Sequence, residues 1–257
     1  MNIHITGGKG PAVVFLHGFC ETMNIWNNFS EVLADQYNVI TLDLPGHGAS
    51  PLESATFSID DLADQVHDTL QRHGINKYFV IGHSLGGYIS LALTELYDKH
   101  VTGYGLLSST TFADDDEKKK VRDKVSEFIA EHGHQNFIDS FLPNLFTPEN
   151  RRRFSEEIEQ LKREAYQTST KSIVSYSQAM KNRPDRSKLL TQAKPKFIIV
   201  GDRDMAVKIE ASRLMMEHVD SQDCLILVDT GHNGFVESFP TCIEFILNFL
   251  SRNTTSL

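Results

Sequence analysis

The stretch FVIGHSLGGYISLAL, residues 79–93, decides how this chain is read. An apolar run ends at Gly82, and a helical pattern begins just after Ser84, with Leu85, Ile89, Ala92 and Leu96 near one face. Gly82, Ser84 and Gly86 form the pattern G-x-S-x-G, which places the serine in a tight strand-to-helix turn. Side chains at 82 and 86 would collide across such a turn, so hydrogen stands at both positions. Gly87 lets the helix pack close to the sheet. A turn of this kind projects the Ser84 hydroxyl above the C-terminal edge of an open α/β sheet, where ligands bind. On this stretch alone, the alternative is a Gly-rich turn whose serine caps the helix.

The flanking sequence supports the sheet. AVVFLHG (12–18), YNVITLD (37–43) and YFVIGHS (78–84) are short apolar runs suited to strands buried on both faces. VTGYGLLSS (101–109) is a weaker example with two internal glycines, and PKFIIVGDRD (195–204) and DCLILVDTGH (223–232) repeat the pattern. Helical segments lie between them. SIDDLADQVHDTLQRHG (58–74) spaces Leu62, Val66 and Leu70 by four, places Asp60 and Asp61 in its first turn and ends at Gly74. TCIEFILNFLSR (241–252) is an apolar helix. This alternation predicts a parallel α/β sheet with helices on both faces.

One region breaks the alternation. Between Phe112 and Lys194 the chain shows no strand-like run, only amphipathic segments interrupted by Gly133, Pro143, Pro148 and Pro184. It is too long for a structureless loop. The expected organisation is a core of residues 1–111 and 195–257 with a helical cap, or lid, at 112–194.

Composition narrows the function classes. The chain has 257 residues, 40% hydrophobic and 23% charged, with a formal net charge of −9, which argues against nucleic acid or an anionic membrane as partner. Three scattered cysteines, Cys20, Cys224 and Cys242, form neither a disulfide framework nor a zinc knuckle. The N-terminus lacks the basic and long apolar regions of a signal peptide, no run reaches the ~18 apolar residues of a membrane span, and the C-terminal NTTSL is polar. A cytoplasmic location is expected.

A serine hydroxyl needs a base to become a nucleophile, and the base needs an orienting acid. His232 follows an apolar strand and a glycine in VDTGHNGF, and Asp202 and Asp204 follow another strand in IIVGDRDMAV. Asp204 is favoured over Asp202 by its distance from the strand. The order Ser84, Asp204, His232 is the one expected for this turn architecture. The Leu85 N–H, at the helix start, is placed to bind an oxyanion on a carbonyl that Ser84 attacks. The Phe19 N–H, in the loop of FLHGFCETMNIW, is the second candidate donor. Asp43 and His47, in DLPGHGAS, read as structural.

Together LHGF (16–19), DLPGHGAS (43–50), GHSLGG (82–87), VGDRD (200–204) and TGHNGFVESFP (230–240) resemble the α/β-hydrolase superfamily, closest to small esterases with a helical lid. The resemblance covers almost the whole chain outside residues 112–194. It implies an α/β-hydrolase fold, with a mostly parallel central sheet flanked by helices and a helical cap insertion. It also implies Ser84 as nucleophile, His232 as general base and then acid, Asp204 as its partner, Phe19 and Leu85 as oxyanion hole, and no metal or cofactor. Serine at the nucleophile position disfavours the dehalogenase and epoxide-hydrolase branches.

LHGF and DLPGHGAS also resemble a branch in menaquinone biosynthesis that eliminates pyruvate. It needs cap cations, for which RRRF (151–154), Arg122 and Arg163 are the candidates. C–C bond hydrolases, cofactor-free perhydrolases and small-molecule receptors of the same fold are further alternatives. The expected partner is a small-molecule substrate with an apolar acyl or alcohol group, covered by Phe112, Phe128, Phe137, Phe141, Phe146 and Tyr176; packing of these rings against the sheet explains them equally well.

Overall fold

The structure is a computed structural model that describes residues 1–254. Its sheet is built from β1 (Ile3–Thr6), β2 (Ala12–Leu16), β3 (Asn38–Leu42), β4 (Tyr78–His83), β5 (Val101–Leu107), β6 (Lys196–Gly201) and β7 (Cys224–Leu227). Their order is β1-β3-β2-β4-β5-β6-β7, and every pairing is parallel except β1 with β3. β1 lies outside the strands expected from the sequence. Its residues, IHIT, are only partly buried or exposed on an edge, so they lack the apolar run that marks the inner strands.

The helices are α1 (Asn27–Leu33), α2 (Ile59–Arg72), α3 (Leu85–Leu96), α4 (Asp116–His132), α5 (His134–Phe141), α6 (Pro148–Arg153), α7 (Ser155–Ala165), α8 (Thr170–Lys181), α9 (Ile209–Met216), α10 (Gly234–Glu237) and α11 (Phe239–Asn253). Ser58 caps α2 through a reciprocal bond with Asp61. α3 departs from a one-faced helix: Leu85, Ile89 and Ala92 are buried along with the rest of its first ten residues, while Leu96 is 46% exposed at the C-terminal end. A helix pressed between the sheet, α2 and the inserted helices has no solvent-facing side until it emerges.

Alternation along the strands divides the core. Val13, Phe15, Phe79, Ile81, Phe197 and Ile199 pack with Trp26 and Phe29 of the α1 region and Phe249 of α11. Val14, Leu16, Ile40, Leu42 and Val80 face the other way, onto α2 and α3. That second cluster continues without a break into Ile129, Phe137, Leu142, Leu145, Ile158 and Tyr176, so the helices between β5 and β6 share a core with the sheet. Among the described residues no helix is long and apolar enough to cross a membrane.

Candidate active site

β4 ends at His83 and α3 starts at Leu85, which leaves one residue to turn the chain. That residue, Ser84, adopts φ 50° and ψ −112°, a conformation L-residues rarely hold. Its N–H donates to Leu107 O at 3.0 Å, and its carbonyl accepts from Ser109 Oγ at 2.7 Å, so neighbouring β5 clamps the turn on both sides. The Ser84 hydroxyl makes no capping bond to α3, against the reading of this serine as a helix cap.

The glycines are demanded by contact. A Cβ on Gly82 would lie 2.2 Å from the backbone of Gly86, and one on Gly86 would lie 2.2 Å from Leu16 O. Because these obstacles are backbone atoms, no rotamer change relieves them. Gly82→Ala is expected to destabilise the fold by about 1–3 kcal/mol, measured as a shift of the urea midpoint. The second contact also presses the start of α3 against the end of β2, the strand that leads into the loop holding Phe19.

Asp204 and His232 follow β6 and β7. His232 Nδ1 donates to Asp204 Oδ2 at 2.8 Å, with both side chains buried. The other carboxylate oxygen accepts from the N–H groups of Ala206 (2.7 Å) and Val207 (2.9 Å), which fixes the carboxylate plane. Asp202 instead accepts from the Thr230 N–H at 3.3 Å and does not contact the histidine ring. Burial works against a charged His232, but the Asp204 charge and hydrogen bond, with Glu21 and Glu237 behind them, hold its pKa above the ordinary histidine value. The imidazole of His83, the residue before Ser84, lies 4.9 Å from that of His232, centroid to centroid. The structure therefore brings His232 beside the turn. No hydrogen bond joins Ser84 Oγ to His232 among the described residues, as is common before substrate binds.

Leu85 is the first residue of α3, so its N–H has no partner within the helix. The Phe19 N–H makes no backbone bond among the described residues. Its peptide plane is set by His17, whose Nδ1–H donates to Gly18 O (2.8 Å) while Nε2 accepts from the Leu44 N–H (2.9 Å). Burial lowers the His17 pKa, consistent with that neutral tautomer. Asp43 accepts from Asn2 Nδ2 and from the Met23 and Ala49 N–H groups, a structural staple. His47 is buried against Tyr176 and His17, and burial holds its pKa well down.

The inserted helices reach the site at several points. The His232 N–H donates to Leu145 O at 2.7 Å. Glu237 Oε1 accepts from the Gly231 N–H (3.0 Å), and its Oε2 accepts from Asn150 Nδ2 (2.7 Å). Thr22, in the loop after β2, donates to Glu164 of α7. The Phe19 ring packs with Phe137 and Phe141 of α5. The other aromatic residues lie elsewhere: Phe112 packs toward Leu190 and Met215, Phe128 is 38% exposed, Phe146 pairs with Phe154, and Tyr176 donates to Pro45 O.

A family model described as alpha/beta hydrolase fold matches residues 11–239. In sequence the chain is similar to the dihydrolipoyllysine-residue acetyltransferase component of the acetoin cleaving system of Pseudomonas putida, at 25% identity over 251 residues that cover 96% of this chain and 65% of that protein. It spans less than two thirds of the length of the acetyltransferase components it matches. It is also similar to the 2-succinyl-6-hydroxy-2,4-cyclohexadiene-1-carboxylate synthase of Escherichia coli (strain K12), at 28% identity over 236 residues and 89% of each chain. In structure it is similar to a thermophilic esterase from Thermogutta terrifontis, with a TM-score of 0.91 at 24% identity, covering 99% of this chain and 94% of that one. This last likeness is one of fold.

Proposed function

Because the chain belongs to the alpha/beta hydrolase fold family, we propose that it is a serine hydrolase that cleaves a carboxylic ester or thioester through an acyl-enzyme. The observation that carries this reading is the 2.8 Å contact between His232 Nδ1 and Asp204 Oδ2, which leaves Nε2 as the basic nitrogen beside the turn that presents Ser84. Ser84 gives its proton to His232 Nε2 and its oxygen attacks the substrate carbonyl carbon. The Phe19 and Leu85 N–H groups hold the resulting oxyanion. Collapse expels the alcohol or thiol, which takes the proton from His232. Water then gives a proton to the same nitrogen and attacks the acyl carbon; the bond to Ser84 breaks, its oxygen takes the proton back from His232, and the acid leaves.

The Phe19–Phe137–Phe141 cluster beside the oxyanion loop supports a substrate with an apolar acyl or alcohol group, under helices that act as a cap. Similarity to the E. coli synthase favours the pyruvate-eliminating lyase as the second reading. Against it, Arg122 is paired with Asp114 and Arg151 binds Asn144 and the Phe146 carbonyl, while Arg152, Arg153 and Arg163 are exposed.

The test is hydrolysis of p-nitrophenyl esters from acetate to decanoate, wild type beside Ser84→Ala. Ser84-dependent release supports the reading, and the best chain length sizes the acyl site. No release from folded wild type moves the assignment to the lyase, C–C hydrolase or receptor. The pH profile is a second check. His232 must be unprotonated to accept a proton, and its pKa is raised, so kcat/KM is expected to fall on acidification with a midpoint above ~6.5, the ordinary histidine value. A midpoint below that value would contradict the electrostatics described.

A further inference from the structure

Two buried groups outside the Ser84–His232–Asp204 set lie between its parts. Glu21 is 2% exposed and His83 is 1% exposed. One oxygen of Glu21, Oε2, accepts from the Gly18 N–H at 2.6 Å and meets His83 Nδ1 at 2.9 Å. On the far side of the same ring, His83 Nε2 lies 3.2 Å from the carbonyl oxygen of His232. A backbone carbonyl only accepts, so Nε2 carries a hydrogen. One hydrogen lies between Nδ1 and Glu21 Oε2.

We infer that Glu21 and His83 form a buried hydrogen-bonded pair that positions the oxyanion loop and the His232 loop relative to Ser84. This role rests on the hydrolase reading above. Glu21 fixes the peptide entering Gly18, and His17 fixes the peptide leaving it, so the direction of the Phe19 N–H is set from both sides. His83 is covalently joined to Ser84 and bonded to the backbone of His232, so one ring ties nucleophile and base. Burial alone would raise the Glu21 pKa; His83, His17 and the Gly18 N–H more than offset it and bring it below the ordinary carboxylate value. Both are positioning residues and neither touches the reacting atoms.

Glu21→Gln tests this, because it keeps the shape and removes the charge. In the native protein one oxygen, Oε2, meets both the Gly18 N–H and His83 Nδ1. A glutamine that turns its NH₂ to Nδ1 draws its oxygen off the position that holds the Gly18 N–H, and one that keeps its oxygen there leaves a neutral His83 without a hydrogen on Nε2 for the His232 carbonyl. The expected result is a folded protein with kcat lowered by about 10²-fold, the scale of a 1 Å misplacement, and KM unchanged. A kcat equal to wild type overturns the inference, as does a loss that only follows the folded fraction. Nitrogen-15 NMR of wild type gives an independent readout: a hydrogen on His83 Nε2, held by the His232 carbonyl, is expected, and a ring with Nε2 bare overturns the pair as the tie between the two loops. This measurement decides the matter should Glu21→Gln fail to fold. If wild type shows no Ser84-dependent turnover, the hydrolase reading fails and the positioning role falls with it. If wild type turns over and Glu21→Gln matches it, only the positioning role fails.

Discussion

Ser84→Ala is expected to lower kcat by about 10⁴–10⁶-fold while leaving the fold intact. The asymmetry follows from what the hydroxyl does in the structure. It caps no helix, and Ser84 is held by its backbone, which bonds to Leu107 and Ser109 whatever the side chain. Removing one oxygen therefore costs little stability and all of the nucleophile. On the proposed mechanism the Phe19 and Leu85 N–H groups still polarise a bound carbonyl, so a residual rate above the uncatalysed one should survive. The measurement is kcat on the best p-nitrophenyl ester, with circular dichroism to establish folding. A variant within tenfold of wild type would remove Ser84 from the mechanism.

Asp204→Asn should cost about 10⁴-fold in kcat for a different reason. In the native protein one carboxylate oxygen serves the Ala206 and Val207 N–H groups and the other takes the His232 Nδ1–H. An asparagine must turn its carbonyl toward the two backbone donors, which leaves its NH₂ facing Nδ1. That arrangement favours the tautomer with hydrogen on Nε2, and the nitrogen that should accept the serine proton is then occupied. Losing the carboxylate also removes the charge that raises the His232 pKa, so the acidic limb of the profile should move down. Asp202→Asn is the matched control. Its only described side-chain tie to this region is the Thr230 N–H, and its kcat should stay near wild type.

The parts of the site that were legible in the sequence are those whose signal is local. The spacing of Gly82, Ser84 and Gly86 encodes one turn, and each glycine answers to a backbone atom a few residues away or on the adjoining strand. Asp204 and His232 were legible because each follows an apolar strand, and parallel strands deliver their C-terminal ends to one edge. Glu21 and His83 carry no such mark. Their meeting joins positions 62 residues apart, and the His83–His232 bond joins positions 149 apart, so only the folded sheet relates them. Asp43 was legible as structural because it sits in a constrained Pro-Gly loop. The inserted helices were legible as helices but not as contacts: of the six aromatic residues expected to cover a substrate, only Phe137 and Phe141 stand against Phe19.

The bond from the His232 N–H to the Leu145 carbonyl has a consequence for how access and reactivity are linked. Leu145 belongs to the short connection between α5 and α6, which also holds Gly231 close: a Cβ there would lie 2.5 Å from the same carbonyl oxygen. Any excursion that lifts this connection off the sheet must break a bond to the histidine's own backbone. A conformation with this connection displaced would therefore differ in the placement of His232 as well as in the cover over it. A ligand that bound only with the connection in place would, by the same free energy, favour the arrangement in which the His232 backbone is held.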